Sequence, residues 1–333
     1  AHMHSGADHM PPRPSTTLVT DMDDTLLKTA TLWEGFFAML SMRPILLVLA
    51  PLWLLKGRAY FKKRLAPFSA ARTEKYPVNH MVLRTLQDAV SDGREVYLAS
   101  AADRQVAEAV SRRFGFFADV FASEEGCNLK GKAKADLLTR RFGEKQFDYI
   151  GDSGADIPIW KAARTALVVT QEGSSLEKQV GPVNSDYRIL GAPAPGLRDY
   201  FKAFRVHQWI KNILLFVPLL LAHQFTPEAV KDSLLAFISF CLGASAIYVI
   251  NDLYDLASDR QHPKKKNRPF ASGVISVRSG CVCVVAALGA SCFFGTFLPW
   301  KFMLCLVGYF ALTISYTIFL KRRLFLDVVA LAA

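Results

Sequence analysis

From Ser233 to Ile250 the chain carries no charge, and it then runs at once into Asn251-Asp252-Leu-Tyr-Asp255-Leu-Ala-Ser-Asp259. An uncharged stretch of that length needs apolar surroundings along most of a helix, so a bilayer is its natural setting. In the ladder that ends it, three carboxylates and one amide at spacings of one, three and four fall largely on one helical face. Hard oxygen ligands of this kind suit Mg²⁺, which is held by a few carboxylates together with substrate phosphates. Arg260, His262, Lys264, Lys265, Lys266 and Arg268 follow, and cations there suit the phosphates. A solvated charged loop between two helices is the plainer reading. The acidic ladder followed directly by the basic run favours a site, with transfer chemistry on a lipid.

The chain has 333 residues, compatible with two domains. Hydrophobic content is 51% and mean hydropathy +0.20, high for a wholly soluble protein, and the C-terminal third supplies the long apolar runs. The net charge of +11 clusters beside those runs, a pattern of membrane flanks. No soluble basic face with interleaved aromatics is present, so no nucleic-acid partner is expected. Of six cysteines, Cys241, Cys281, Cys283, Cys292 and Cys305 lie in apolar segments and Cys127 stands alone. Cys281-x-Cys283 lacks the spacing of a zinc pair, and no disulfide framework is implied, which fits a cytosolic soluble domain. No signal peptide is visible, and residues 1–13 are expected to be a disordered or upstream lead outside the fold.

Residues 14–190 read as an α/β domain. Thr17–Thr20, Glu95–Leu98 and Phe147–Ile150 are short apolar runs that end in Asp21, Ser100 and Gly151-Asp152, and Thr165–Thr170 is a fourth. Helical patterns lie between, as over Asp103–Phe114 and Ala133–Phe142. The alternation predicts a parallel sheet with both faces covered, its functional residues beyond the carboxyl ends of the strands. An insertion forms a small helical cap at about 32–75, with the apolar run Pro44–Leu55 followed by Lys56, Arg58, Lys62, Lys63 and Arg64. Two prolines and Arg43 break it too often for a span. It is expected to lie on a membrane surface, the alternative being an ordinary buried helix pair. Residues 191–202 read as a Pro/Gly linker. Residues 203–333 hold apolar segments at about 212–225, 233–250, 279–300 and 302–320, with a fifth from Phe325. The basic residues near 205–211, 260–268, 278 and 321–323 fall on one side, and Lys231 and Lys301 on the other. The positive-inside rule then places the N-terminal domain and the Asp-rich loop in the cytoplasm.

Asn251-Asp252-x-x-Asp255-x-x-x-Asp259, followed by His262-Pro-Lys264-Lys-Lys-Asn-Arg268-Pro-Phe-Ala-Ser272-Gly273, resembles the first Asp-rich motif of the UbiA-type intramembrane prenyltransferases. The preceding Arg205-Val-His-Gln208-Trp209-Ile-Lys211-Asn212 is similar to the polyprenyl-phosphate phosphoribosyltransferase branch. The resemblance covers roughly 203–333. It implies an all-α transmembrane bundle in a bacterial inner membrane. Asn251, Asp252, Asp255 and Asp259 would hold Mg²⁺. Lys211, Arg260, His262, Lys264 and Arg268 would bind a phosphorylated donor. The lipid would be a polyprenyl phosphate or diphosphate. The family carries a second Asp-rich cluster, whereas Asp327 is the only later acidic residue before Ala333. The bundle is therefore expected to be incomplete at its C-terminus and the 1–333 chain inactive in transfer.

Asp21-Met-Asp23-Asp24-Thr25, Ser100, Lys134 and Gly151-Asp152-Ser-Gly-Ala-Asp156 resemble, in order, the four motifs of the haloacid dehalogenase (HAD) superfamily of phosphohydrolases, over about residues 15–185. The resemblance implies a Rossmann-like parallel sheet and phosphomonoester hydrolysis. Asp21 would be the nucleophile and Asp23 the general acid and base. Ser100 would donate to the phosphoryl group, or simply cap a helix. Lys134 would neutralise charge, with Lys130 as its rival for that role. Mg²⁺ would be bound by Asp21, the backbone carbonyl of Asp23 and Asp152, with Asp156 in support. Together the resemblances describe a bifunctional membrane enzyme. The alternatives are an aromatic-acceptor prenyltransferase of quinone type, or a membrane-anchored phosphatase with an inactive transferase.

Overall fold

The apolar runs of the N-terminal half become parallel strands. The computed structural model describes residues 16–124, 128–191, 194–223 and 225–317. The 1–13 lead, Cys127, the 321–323 loop, the segment from Phe325 and Asp327 lie outside the described residues. The chain forms two compact units, Ala1–Leu26 with Val78–Ala192, and Leu27–Pro77 with Pro193–Ala333.

In the first unit, β1 (Thr17–Thr20), β2 (Val96–Asp103), β3 (Asp119–Ser123), β4 (Phe147–Gly151), β5 (Ala166–Thr170) and β6 (Tyr187–Gly191) form one sheet in the order β3-β2-β1-β4-β5-β6. Every pairing is parallel, with Leu18 in register between Val96 and Asp148. This is the parallel sheet that the motifs imply. The order reverses between β1 and β4, where an open parallel sheet has its binding crevice. Strand alternation puts Phe147 and Tyr149 on one face of β4, in a core with Val19, Leu138, Trp160 and Val168. Helix Arg104–Phe114 begins on Asp103, whose side chain accepts from Gln105 N–H at 2.9 Å, and stops at Gly115 in the left-handed region. Two strands were not legible. β3 starts on an exposed Asp119, and β6 is an edge strand with an exposed Arg188, so neither shows an uninterrupted apolar run. The segment expected as a linker is structured at both ends, since Gly191 closes β6 and Leu197–Ala203 is a helix.

In the second unit, the insertion is built from helices Thr31–Met42, Ala50–Leu55 and Arg58–Ala70. It packs against the C-terminal helices. Met39, Trp53 and Leu65 share a buried cluster with Tyr254. Trp33 and Phe37 lie on another cluster, made by Val249, Leu253, Phe270 and Ile275. Helices Pro227–Tyr254 and Val277–Gly295 are long and apolar enough to cross a membrane, while Val206–Leu221 and Trp300–Ser315 are shorter. The segment near 212–225 starts earlier and ends earlier, as Val206–Leu221, the one near 302–320 is described as Trp300–Ser315, and residues 318–333 are outside the described set. Serines knit the two long helices together. Ser239 Oγ donates to Ser291 O at 2.7 Å and Ser291 Oγ donates to Ser239 O at 2.6 Å, which satisfies polar groups that hydrocarbon could not.

The far face of β4 supplies a pH test. Asp148 is buried and takes charge-assisted bonds from Arg164 (2.8 Å) and Arg94. Burial alone would raise its pKa, but the two guanidiniums outweigh this and hold it below the usual carboxylate range. Asp148→Asn should cost about 2 kcal/mol at neutral pH. A depressed folded-state pKa stabilises above the unfolded value of about 3.9 and is lost as pH falls through the lower folded value. The gap in unfolding free energy between parent and variant should therefore be full at pH 7 and close in acid, as read by denaturant titration across pH.

Candidate active sites

After β1 the chain turns sharply. Asp23 is extended, and Asp24 sits at φ 57°, a conformation aspartate tolerates because its short side chain can bond locally. The turn leaves Asp21 at the carboxyl end of β1 and Thr25 beneath it. Asp21 N–H donates to Ile150 O at 2.8 Å, which ties β1 to β4 at the crevice. The Asp21 Oδ1 atom accepts from Met22 N–H (2.8 Å) and from Lys134 Nζ (3.0 Å).

Lys134 is 2% exposed. Its ammonium also donates to Ala99 O (3.1 Å) and Tyr149 Oη (3.0 Å), so all three donors are used. Tyr149 in turn donates to Asp156 Oδ1 at 3.1 Å. Lys134 reaches Asp21, whereas Lys130 and Lys132 are exposed at the same helix start. Asp152 Oδ1 accepts from Thr25 Oγ1 at 2.9 Å, and Asp156 Oδ2 accepts from Ser153 N–H and Oγ. Gly151 is required here, because a Cβ would lie 2.8 Å from Asp156 Oδ2. Ser100 is 1% exposed and lies inside β2, not at its end. Its Oγ accepts from Ala102 N–H at 3.1 Å, and the helix cap falls to Asp103 instead. Asp23 is half-buried in the turn beside Asp21.

Asp21, Asp152 and Asp156 each offer a carboxylate oxygen, all within 4.8 Å of one another. Burial pushes the Asp152 carboxyl well above its ordinary pKa, and the charges of Asp21, Asp156 and Asp24 add to it. Burial, then Asp21, raises Asp156 as well, with Lys134 opposing. Oxygen-only donors under mutual repulsion fit a hard divalent cation, and Mg²⁺ suits them. Tyr149 and Thr25 carried no signal as site residues. Tyr149 reads as one more apolar strand position, and Thr25 as part of a turn.

The Asp-rich loop is arranged differently from the expectation. Helix Pro227–Tyr254 ends at Asp255, and Asp259 belongs to the short helix Leu256–Asp259, so the ladder does not continue on one face. Asp252 Oδ1 accepts from Arg205 Nη2 (2.5 Å) and Arg268 Nη1 (3.1 Å), and the same Nη1 donates to Asp259 Oδ2 at 2.7 Å. Asn251 Oδ1 accepts from Thr317 Oγ1. Among the described residues, only Asp21, Asp152 and Asp156 come together as a metal-sized group. Asn251, Asp252, Asp255 and Asp259 are not in that group. Arg260 faces Glu34 rather than open solvent, with Nη2 at 2.6 Å from Oε1. Lys211, His262 and Lys264 are exposed, and the His262 ring accepts the backbone N–H groups of Lys264 and Lys265. Arg205 is the site residue that the sequence reading left out.

Removing Lys134 strands the half-buried Asp21 carboxylate without its cation, whereas Lys130 is solvated. Lys134→Met should lower phosphomonoester turnover by about 10²–10³-fold. Lys130→Met should stay within about twofold of the parent, as a surface change does. Phosphate release by the purified chain reads both.

Residues 213–333 match the UbiA prenyltransferase family. An uncharacterized protein of Sinorhizobium fredii, y4nM, is 36% identical over 321 residues, which are 95% of this chain and 61% of that protein. The decaprenyl-phosphate phosphoribosyltransferase of Corynebacterium glutamicum is 36% identical over 144 residues, 41% of this chain and 43% of that enzyme. The chain thus spans less than two thirds of either relative. A substrate-bound phosphoserine phosphatase aligns with 57% of this chain and 98% of its own, at 16% identity and a TM-score of 0.38. The match to the UbiA prenyltransferase family thus falls on residues 213–333, and the unit that carries Asp21 and Lys134 is built on the six-stranded parallel sheet.

Proposed function

We propose that the chain joins a Mg²⁺-dependent phosphomonoester hydrolase to a UbiA-type transferase that moves a phosphoribosyl group onto a polyprenyl phosphate. The hydrolase then removes the 5-phosphate of that product. The observation that carries the hydrolase is the Lys134–Asp21 pair at 3.0 Å beside Asp152 and Asp156. Among the described residues, the side-chain bonds of Asp21 fall on Oδ1, which leaves Oδ2 for attack. Oδ2 bonds to phosphorus as the ester P–O bond breaks, and the departing oxygen takes a proton from Asp23. Asp23 then withdraws a proton from water, whose oxygen attacks phosphorus, and Asp21 leaves as a carboxylate with inorganic phosphate released. Lys134 holds Asp21 in place and offsets charge that builds on the phosphoryl oxygens. Ser100 donates to that group once its hydroxyl turns toward it. Asp21, Asp152 and the backbone carbonyl of Asp23, with Asp156 in support, would hold Mg²⁺, which would supply further charge neutralisation.

The transferase reading is supported by the family match over 213–333 and by the similarity to decaprenyl-phosphate phosphoribosyltransferases. Exposed Lys211 and Lys264 supply cations for a phosphorylated donor. In the insertion, Ile45, Val48, Leu52 and Leu55 are more than half exposed, and Lys56, Arg58 and Lys62 follow them. Such a face suits an anionic membrane surface, where apolar burial and charge attraction act together. That surface is where a lipid phosphate is presented, on the cytoplasmic side by the charge bias. A fused phosphatase meets such a product at millimolar effective concentration or about that. The anchored-phosphatase reading is favoured by one observation, the closure of Asp252 by Arg205 and Arg268.

Given phosphoribosyl diphosphate and polyprenyl phosphate, a parent protein that also carries the family's second Asp-rich cluster should yield polyprenylphosphoryl-ribose without its 5-phosphate. Asp21→Asn should stop at the 5-phosphate. Mass spectrometry of the lipid products reads the difference. The same product from both proteins rejects the coupling, and no lipid product from either supports the anchor.

A further inference from the structure

The basic run after the Asp-rich motif is held by the insertion. Glu34, 5% exposed, takes both Arg260 Nη atoms, at 3.1 and 2.6 Å, and also accepts from Thr29 Oγ1 at 2.7 Å. The Arg260 side chain is itself 8% exposed. Its guanidinium stands 5.8 Å from the Tyr76 ring centroid, and its Nε donates to Ala271 O at 3.1 Å. One arginine thus ties together Glu34, Tyr76 and the far end of its own loop. The neck of the insertion closes where Lys28 N–H donates to Pro77 O at 2.8 Å. Gly273, at φ +73°, lies against that neck. A Cβ there would come within 2.8 Å of Lys28 Cβ and 3.0 Å of Pro77 Cγ. The two ends of the loop, Arg260 and Gly273, are therefore both seated on the insertion, and Lys264 and Arg268 lie between them.

We propose that Glu34 is a positioning residue for donor binding by the transferase. It acts through Arg260 to hold the 260–273 loop, which makes the insertion a working part of the helical unit's site. A bidentate arginine–carboxylate pair fixes orientation as well as distance, which a lone lysine contact would not. Arg260 is thereby assigned to the clamp and not to the substrate phosphate. The donor-binding part of this proposal rests on the transferase reading above. The clamp itself does not.

The test uses the full chain in lipid nanodiscs, with E34Q, R260Q and the double variant E34Q/R260Q. Amide hydrogen exchange across residues 256–275 should rise about tenfold in each single variant, as a local opening becomes easier. The double variant should exchange no faster than the faster single, because the two changes remove one interaction. In a protein that also carries the family's second Asp-rich cluster, with phosphoribosyl diphosphate as donor, KM should rise about tenfold with kcat within about threefold, the mark of lost binding rather than lost chemistry. Phosphomonoester hydrolysis should be unchanged in E34Q. Parent-like exchange in both single variants, or effects that multiply in the double, overturns the clamp. Should E34Q fail to stay monodisperse, Glu34→Asp replaces it. Intermediate exchange there supports the proposal and parent-like exchange overturns it. A fall in kcat with KM unchanged overturns the positioning role. A chain that shows the exchange pattern but transfers nothing keeps the clamp and loses the transferase reading.

Discussion

A buried ammonium tolerates burial only with a carboxylate beside it and every N–H donor used, and Lys134 meets both conditions through Asp21, Ala99 and Tyr149. The first unit is organised around that requirement. The lysine comes from the first turn of helix Lys132–Phe142, Asp21 from β1, Ala99 from β2 and Tyr149 from β4. Three adjacent strands must therefore be in register for one side chain to be satisfied. The same arrangement gathers carboxylates that repel one another, so stability is spent on a site that favours cation and phosphoryl binding.

The helical unit handles charge by a different route. Among the described residues, its three buried acidic ones are met by guanidiniums, Asp252 by Arg205 and Arg268, Asp259 by Arg268, and Glu34 by Arg260. Planar forks match carboxylates well and stay charged at any working pH. The consequence is an Asp-rich loop anchored at several points, next to exposed lysines that remain available for phosphate. Cation chemistry in the described structure is thus concentrated in the α/β unit.

Much of this was legible in the residues. Asp21 and Asp152 fall at strand ends and Lys134 on the helix that faces them, because buried parallel strands read as short apolar runs cut off by polar signatures, while Ser100 lies inside β2. The preference for Lys134 over Lys130 agrees with its burial. Other parts were hidden for physical reasons. Tyr149 and Thr25 join the site through hydrogen bonds that no local pattern encodes. β3 and β6 lack the apolar run of a central strand. Helical spacing suggested that Asp252, Asp255 and Asp259 converge, but the helix stops at Asp255, and Arg205 and Arg268 take the carboxylates of Asp252 and Asp259. The insertion reads as a cap on the α/β fold, and only its packing on Tyr254, Phe270 and Ile275 shows that it belongs with the C-terminal helices.

The central claim is that the divalent cation belongs to Asp21, Asp152 and Asp156, while Asp252 and Asp259 are closed by arginine. Electron paramagnetic resonance of Mn²⁺ titrated into the full chain tests this without any substrate. The account predicts a tight site that is lost in Asp152→Asn and kept in Asp252→Asn. Tight binding that survives Asp152→Asn, or that disappears with Asp252→Asn, would contradict it.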